Sequence, residues 1–77
     1  MTTTALDMVP PGTRCRVIAL DVGYGINRRL MQMGLVPGSE VKVLDNSGRG
    51  PLVIEVRGVE IALSRGIAKK ILVEVLK

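Results

Sequence analysis

The sequence predicts a mainly β domain, a small barrel of about five short strands with one short α-helix inserted after the first strand. Three observations point there. Apolar and polar residues alternate over several short stretches, the period of a strand with one buried face. Breaks rich in glycine and proline separate those stretches. A single longer segment, Tyr24 to Met33, changes to helical spacing.

Taken in order, Leu6, Met8 and Val9 form an apolar lead-in to the turn Pro10-Pro11-Gly12, and Met1 to Ala5 is a small polar start. Thr13 to Leu20 is the first strand, with Cys15, Val17 and Ala19 alternating against Arg14, Arg16 and Ile18. Asp21-Val22-Gly23 ends it. Between Tyr24 and Met33, Ile26, Leu30 and Met33 fall at i, i+4 and i+7, so one helical face is apolar. Arg28, Arg29 and Gln32 lie away from that stripe. Gly34 suits the left-handed residue that closes a helix. Pro37-Gly38 suits a type II turn, in which proline fixes the first φ and glycine accepts the positive one.

Ser39 to Leu44 alternates again, Val41 and Val43 against Glu40 and Lys42, and Asp45 to Gly50 is a loop on composition. Leu52, Ile54 and Val56, a reversal at Arg57-Gly58, then Val59, Ile61 and Leu63 read as a hairpin. Ser64 to Lys69 makes one helical turn. Ile71 to Val75 is the last strand, expected to pair near the first. Short strands with closely spaced turns suggest a barrel of the SH3-like type.

Length and composition bound what such a chain does. Seventy-seven residues make a single domain, 1–77, with a small core. Yet 47% of the residues are hydrophobic, nearly all aliphatic, and Tyr24 is the one aromatic. A core of this size does not hide all of that surface, so part of it is expected to face a partner. One cysteine excludes an internal disulfide and fits a reducing compartment. No stretch nears the roughly 20 apolar residues of a bilayer span. The start lacks the basic and apolar regions of a signal peptide. A cytoplasmic protein without membrane insertion is the expectation. The net charge of +4, eleven basic against seven acidic residues, permits an acidic partner, a phosphate backbone or an anionic surface.

Catalysis finds no residues to carry it. Without histidine there is no general base of the usual kind near neutral pH. Cys15 reads as core filling, Ser39, Ser47 and Ser64 lack a nucleophile context, and the carboxylates are scattered. One thiol and seven dispersed carboxylates do not make a transition-metal site, so neither metal nor cofactor is expected. Gly23-Tyr24-Gly25 and Gly48-Arg49-Gly50 read as turns, since neither has the Gly-Lys-Ser/Thr helix start that cradles phosphate. Arg28 and Arg29, with Gln32, are the candidate partner-binding residues. Paired guanidiniums grip carboxylates or phosphates, although a solvated helix face has the same composition. Arg65 and Lys69, beside Lys70, form a second basic group before the last strand. Nucleic-acid binding is disfavoured, because single-strand binders stack bases on exposed aromatics and Tyr24 stands alone.

Arg29-Leu30, Gly34-Leu35 and Pro37-Gly38 are followed by Gly50-Pro51-Leu52 and by Ile61-Ala62-Leu63-Ser64-Arg65 with Ala68 and Ile71. This pattern, from about Leu6 to Val75, resembles the FeoA family. The resemblance implies an SH3-like domain acting as a non-enzymatic cytosolic accessory of ferrous iron uptake, one that binds and modulates the membrane GTPase transporter FeoB. A similar domain ends iron-dependent repressors of the DtxR type. The alternative is therefore an interaction module of a transcriptional regulator or nucleic-acid-associated protein. No helix-turn-helix precedes the domain here, so the free-standing form is expected. Self-association into a homo-oligomer through Leu72, Leu76 or Ile18 is a further expectation.

Overall fold

Alternation converts into six strands among the residues described, 2–76, in the computed structural model. The elements are β1 (Thr2–Ala5), a 3-10 turn (Leu6–Met8), β2 (Arg14–Leu20), α1 (Tyr24–Gln32), β3 (Glu40–Asp45), β4 (Leu52–Val56), β5 (Val59–Leu63), α2 (Arg65–Ala68) and β6 (Ile71–Val75). All neighbours are antiparallel, in the order β1-β6-β2-β3-β4-β5. The last strand lies beside the first predicted one, with Val17 opposite Val73 and Cys15 opposite Val75.

The sixth strand comes from Thr2–Ala5, read from sequence only as a polar start. It pairs with β6 from Thr2 opposite Val75 to Ala5 opposite Leu72. As an edge strand it buries no side chain fully, so no apolar alternation marks it. α1 consequently follows the second strand of the chain.

The core is aliphatic apart from Cys15. Val17, Val41, Val43, Leu52, Ile54, Val56, Ile61, Leu63, Ile71 and Val73 supply the inner faces of the strands, and Leu6 and Val9 close one end. Among the described residues no polar or charged side chain is buried. Desolvation pushes the buried Cys15 thiol up to about 11. The strand phases follow the sequence with two exceptions. In β2 the register shifts between Val17 and Ala19, so the alternation breaks at Ile18 and leaves Ala19 exposed instead of inward. In β5, Val59 sits at the hairpin tip and is exposed, while Ile61 and Leu63 point inward.

Turns form where glycine allows a positive φ. At Pro10–Thr13 the Thr13 N–H donates to the Pro10 carbonyl across 3.3 Å, with Gly12 at φ +86°. The β4–β5 hairpin turns through Arg57 and Gly58, both at positive φ, which matches a type I′ turn to the strand twist. Asn46, on the β3–β4 loop, fastens distant segments. Its amide donates to the Asp7 and Val9 carbonyls at 3.0 and 2.8 Å, and its oxygen accepts from Arg65 at 2.6 Å.

Candidate functional site

α1 departs from a core helix in what it leaves outside. Of its nine residues only Leu30 is buried, at 3% exposure. Ile26 and Met33, expected with Leu30 on the inner face, are 40% and 43% exposed. The inward stripe therefore anchors through one residue and leaves its neighbours at the rim.

The anchoring lies at the C-terminal end. The Gly34 N–H donates to the Met31 carbonyl and the Leu35 N–H to the Leu30 carbonyl, each at 2.9 Å, with Gly34 at φ +89°. This is a Schellman closure, and its apolar pair, Leu30 and Leu35, is buried in the core. The following turn is the expected type II: Gly38 has φ +93° and the Ser39 N–H donates to the Val36 carbonyl. The Ser39 hydroxyl donates to the Gly34 carbonyl at 2.7 Å and accepts from the Val36 N–H. The same turn joins β2, as Gly38 N–H donates to the Val17 carbonyl and Val17 N–H to the Ser39 carbonyl. Gly23-Tyr24-Gly25, read as a turn, instead opens the helix: Gly23 is its N-cap, in extended backbone and without a side chain to cap it. The helix is thus held from its last turn.

On the outer side, Tyr24, Asn27, Arg28 and Met31 line one open depression of about 370 Å³. Their spacing, i, i+3, i+4 and i+7, is a second helical stripe. Tyr24 is 82% and Met31 54% exposed. Around the helix, Arg28, Gln32 and Arg29 then separate this apolar margin from a second one formed by Ile26 and Met33. Arg28, Arg29 and Gln32 are all exposed, and among the described residues neither arginine has a carboxylate within ion-pair distance. α1 carries no acidic residue. A third arginine, Arg57, comes from the hairpin tip, its Cδ 3.8 Å from where a Cβ on Gly34 would stand. From sequence Arg57 reads only as a turn residue, and the signal for the outer stripe is the seven-residue separation of Tyr24 and Met31.

The second basic group lies elsewhere. Arg65 is half-buried and spends a guanidinium nitrogen on Asn46. Lys69 and Lys70 are exposed and line a different depression with Ala5, Asp21, Ile71 and Leu72. Arg28 and Lys69 therefore do not share a cleft. Among the described residues no three histidine, cysteine, aspartate or glutamate side chains gather to hold a metal ion. No helix among them is long and apolar enough to cross a membrane.

The FeoA domain model matches residues 4–75. The chain belongs to the FeoA family. A protein of Methanocaldococcus jannaschii named as Fe(2+) transport protein A is 43% identical over 63 residues, covering 82% of this chain and 76% of that one. The crystal structure of an iron uptake regulatory protein, FeoA, superimposes with a TM-score of 0.88 at 30% identity, covering 99% of this chain and all of that one. FeoA of Stenotrophomonas maltophilia complexed with zinc, described as a prokaryotic SH3 domain protein, gives 0.78 at 30% identity, with 96% and 91% covered. The SH3-like expectation holds. T. acidophilum IdeR shares the fold alone, at 23% identity and a TM-score of 0.86, the match spanning 35% of its length.

Proposed function

We propose that residues 1–77 act as one non-enzymatic FeoA domain in the cytoplasm, an accessory of ferrous iron uptake that binds and modulates the FeoB transporter. The membership of the chain in the FeoA family supports the transport role, as does the name of its Methanocaldococcus relative. The observation that carries the docking site is the outer face of α1. It presents large apolar side chains beside two arginines, on a helix fixed from its far end. Tyrosine, methionine and arginine are the residues enriched where proteins meet. Arg28, Arg29 and Gln32 are assigned to that contact, and Arg65 and Lys69 to a separate one of lesser weight, since Arg65 already holds Asn46.

Calorimetric titration of this chain into the purified cytosolic GTPase module of FeoB tests the proposal. The expected result is a saturable complex with wild type, and affinity about tenfold or more weaker for Arg28→Glu with Arg29→Glu. Both side chains are exposed, so the thermal midpoint of that variant should match wild type. Undiminished affinity would move the contact off α1.

A further inference from the structure

The outer face of α1 has an arrangement that specifies its partner more closely, on the reading that this face docks the transporter. A helical residue advances about 100° around the axis, so the exposed side chains of Tyr24 to Met33 fall in the order Met31, Tyr24, Arg28, Gln32, Arg29, Met33, Ile26, with the bare Gly25 between Gln32 and Arg29. The cations and the amide occupy the middle. Apolar side chains stand on both margins, Tyr24 and Met31 on one, Ile26 and Met33 on the other.

A lipid surface takes the opposite pattern, an apolar centre entering the acyl boundary with basic residues on its flanks. A single-stranded nucleic acid takes several stacking platforms, and this helix offers one aromatic. The pattern fits a protein segment whose carboxylates meet the arginines while an apolar side chain settles on the Tyr24–Met31 margin, the one that lines a depression. We infer that the outer face of α1 receives an acidic segment of the transporter's cytosolic part, with Arg28 and Arg29 pairing its carboxylates and one of its apolar side chains seated in the depression lined by Tyr24, Asn27 and Met31. Charge complementarity supports the choice: α1 has two arginines and no acidic residue, and Arg57 adds a cation against Gly34 at its C-terminal end. The Tyr24–Met31 margin contributes contact area and excludes water from the neighbouring Arg28 ion pair, which strengthens it.

The test is titration into the FeoB GTPase module at low and high salt, with three proteins. Wild type should weaken severalfold as salt rises, the mark of paired charges. Arg28→Gln with Arg29→Gln should bind about tenfold more weakly and lose most of that salt dependence. Tyr24→Ala with Met31→Ala should also bind more weakly but keep the wild-type salt dependence. Wild-type binding that is insensitive to salt, or unaffected by either pair, overturns the inference and leaves the accessory role standing. Absence of any wild-type complex overturns the accessory role, and the inference with it. Cosedimentation with vesicles of phosphatidylglycerol and phosphatidylcholine runs alongside. Binding to those vesicles that both variant pairs abolish, without a protein complex, would assign the face to lipid instead.

Discussion

Cys15 sits between Val41 and Val75 on the neighbouring strands, wholly enclosed, and its thiol is pushed from 9.0 up to about 11 by desolvation. The folded chain therefore keeps a proton that the unfolded chain releases. Stability from this group is fully present below about pH 9 and is lost as pH rises towards 11. Urea midpoints of wild type should fall more steeply across that window than those of Cys15→Ala, and alkylation of the native thiol should be slow until the chain is unfolded. Glycines divide just as sharply. Gly34 stands at φ +89°, and an added Cβ would meet Val56 Cγ1 at an ordinary 3.7 Å. The penalty of Gly34→Ala is thus one of backbone conformation, about 1–2 kcal/mol. Gly25 has ordinary helical φ and open space around it, so Gly25→Ala should stabilise by about 0.5–1 kcal/mol. Urea denaturation of the two variants checks the opposite signs.

Elements set by local chemistry were legible in the sequence, as was the long-range pairing of the last strand with the strand at Thr13 to Leu20, whereas the edge strand and the side-chain clasp were not. The Gly34 closure, the Pro37-Gly38 turn and the one-turn α2 follow from neighbouring residues; Ser64 caps α2 by accepting from the Ile67 N–H. β1 was missed because threonines on an edge need no apolar period. The outer stripe of α1 was missed because the inner one, Ile26-Leu30-Met33, explained the helix by itself, although only Leu30 is buried. The clasp at Asn46 reaches 37 and 39 residues back along the chain, to Val9 and Asp7, and no local pattern announces it. Asn46→Ala strands two carbonyls and the Arg65 guanidinium, and should cost about 1–3 kcal/mol by thermal or urea unfolding. Asn46→Asp keeps an acceptor for Arg65 but sets an anion beside the carbonyls of Asp7 and Val9, so it should recover little of that loss. A variant as stable as wild type would mean the clasp is dispensable.

At the scale of the whole molecule, α1 is held by its C-terminal turn to β2 while its outer side stays uncommitted, so stability and the proposed docking rest on largely separate residues. Charge changes at Arg28 and Arg29 should accordingly alter partner affinity at a constant melting temperature, whereas changes at Asn46 or Gly34 should do the reverse. Isotope-edited spectra of the variants would separate the two classes, local for the first and dispersed for the second. The pairing of β1 with β6 has another consequence. Thr2 lies opposite Val75, so the chain leaves the barrel beside the place where it entered. Topologically the fold is almost a closed ring between Thr2 and Val75. A short linker across them, with a new break in the exposed loop at Ser47–Gly50, should give a rearranged chain that melts cooperatively. By the same geometry the barrel can be spliced into a surface turn of a host protein without prising the host apart, like a bead on a loop of thread.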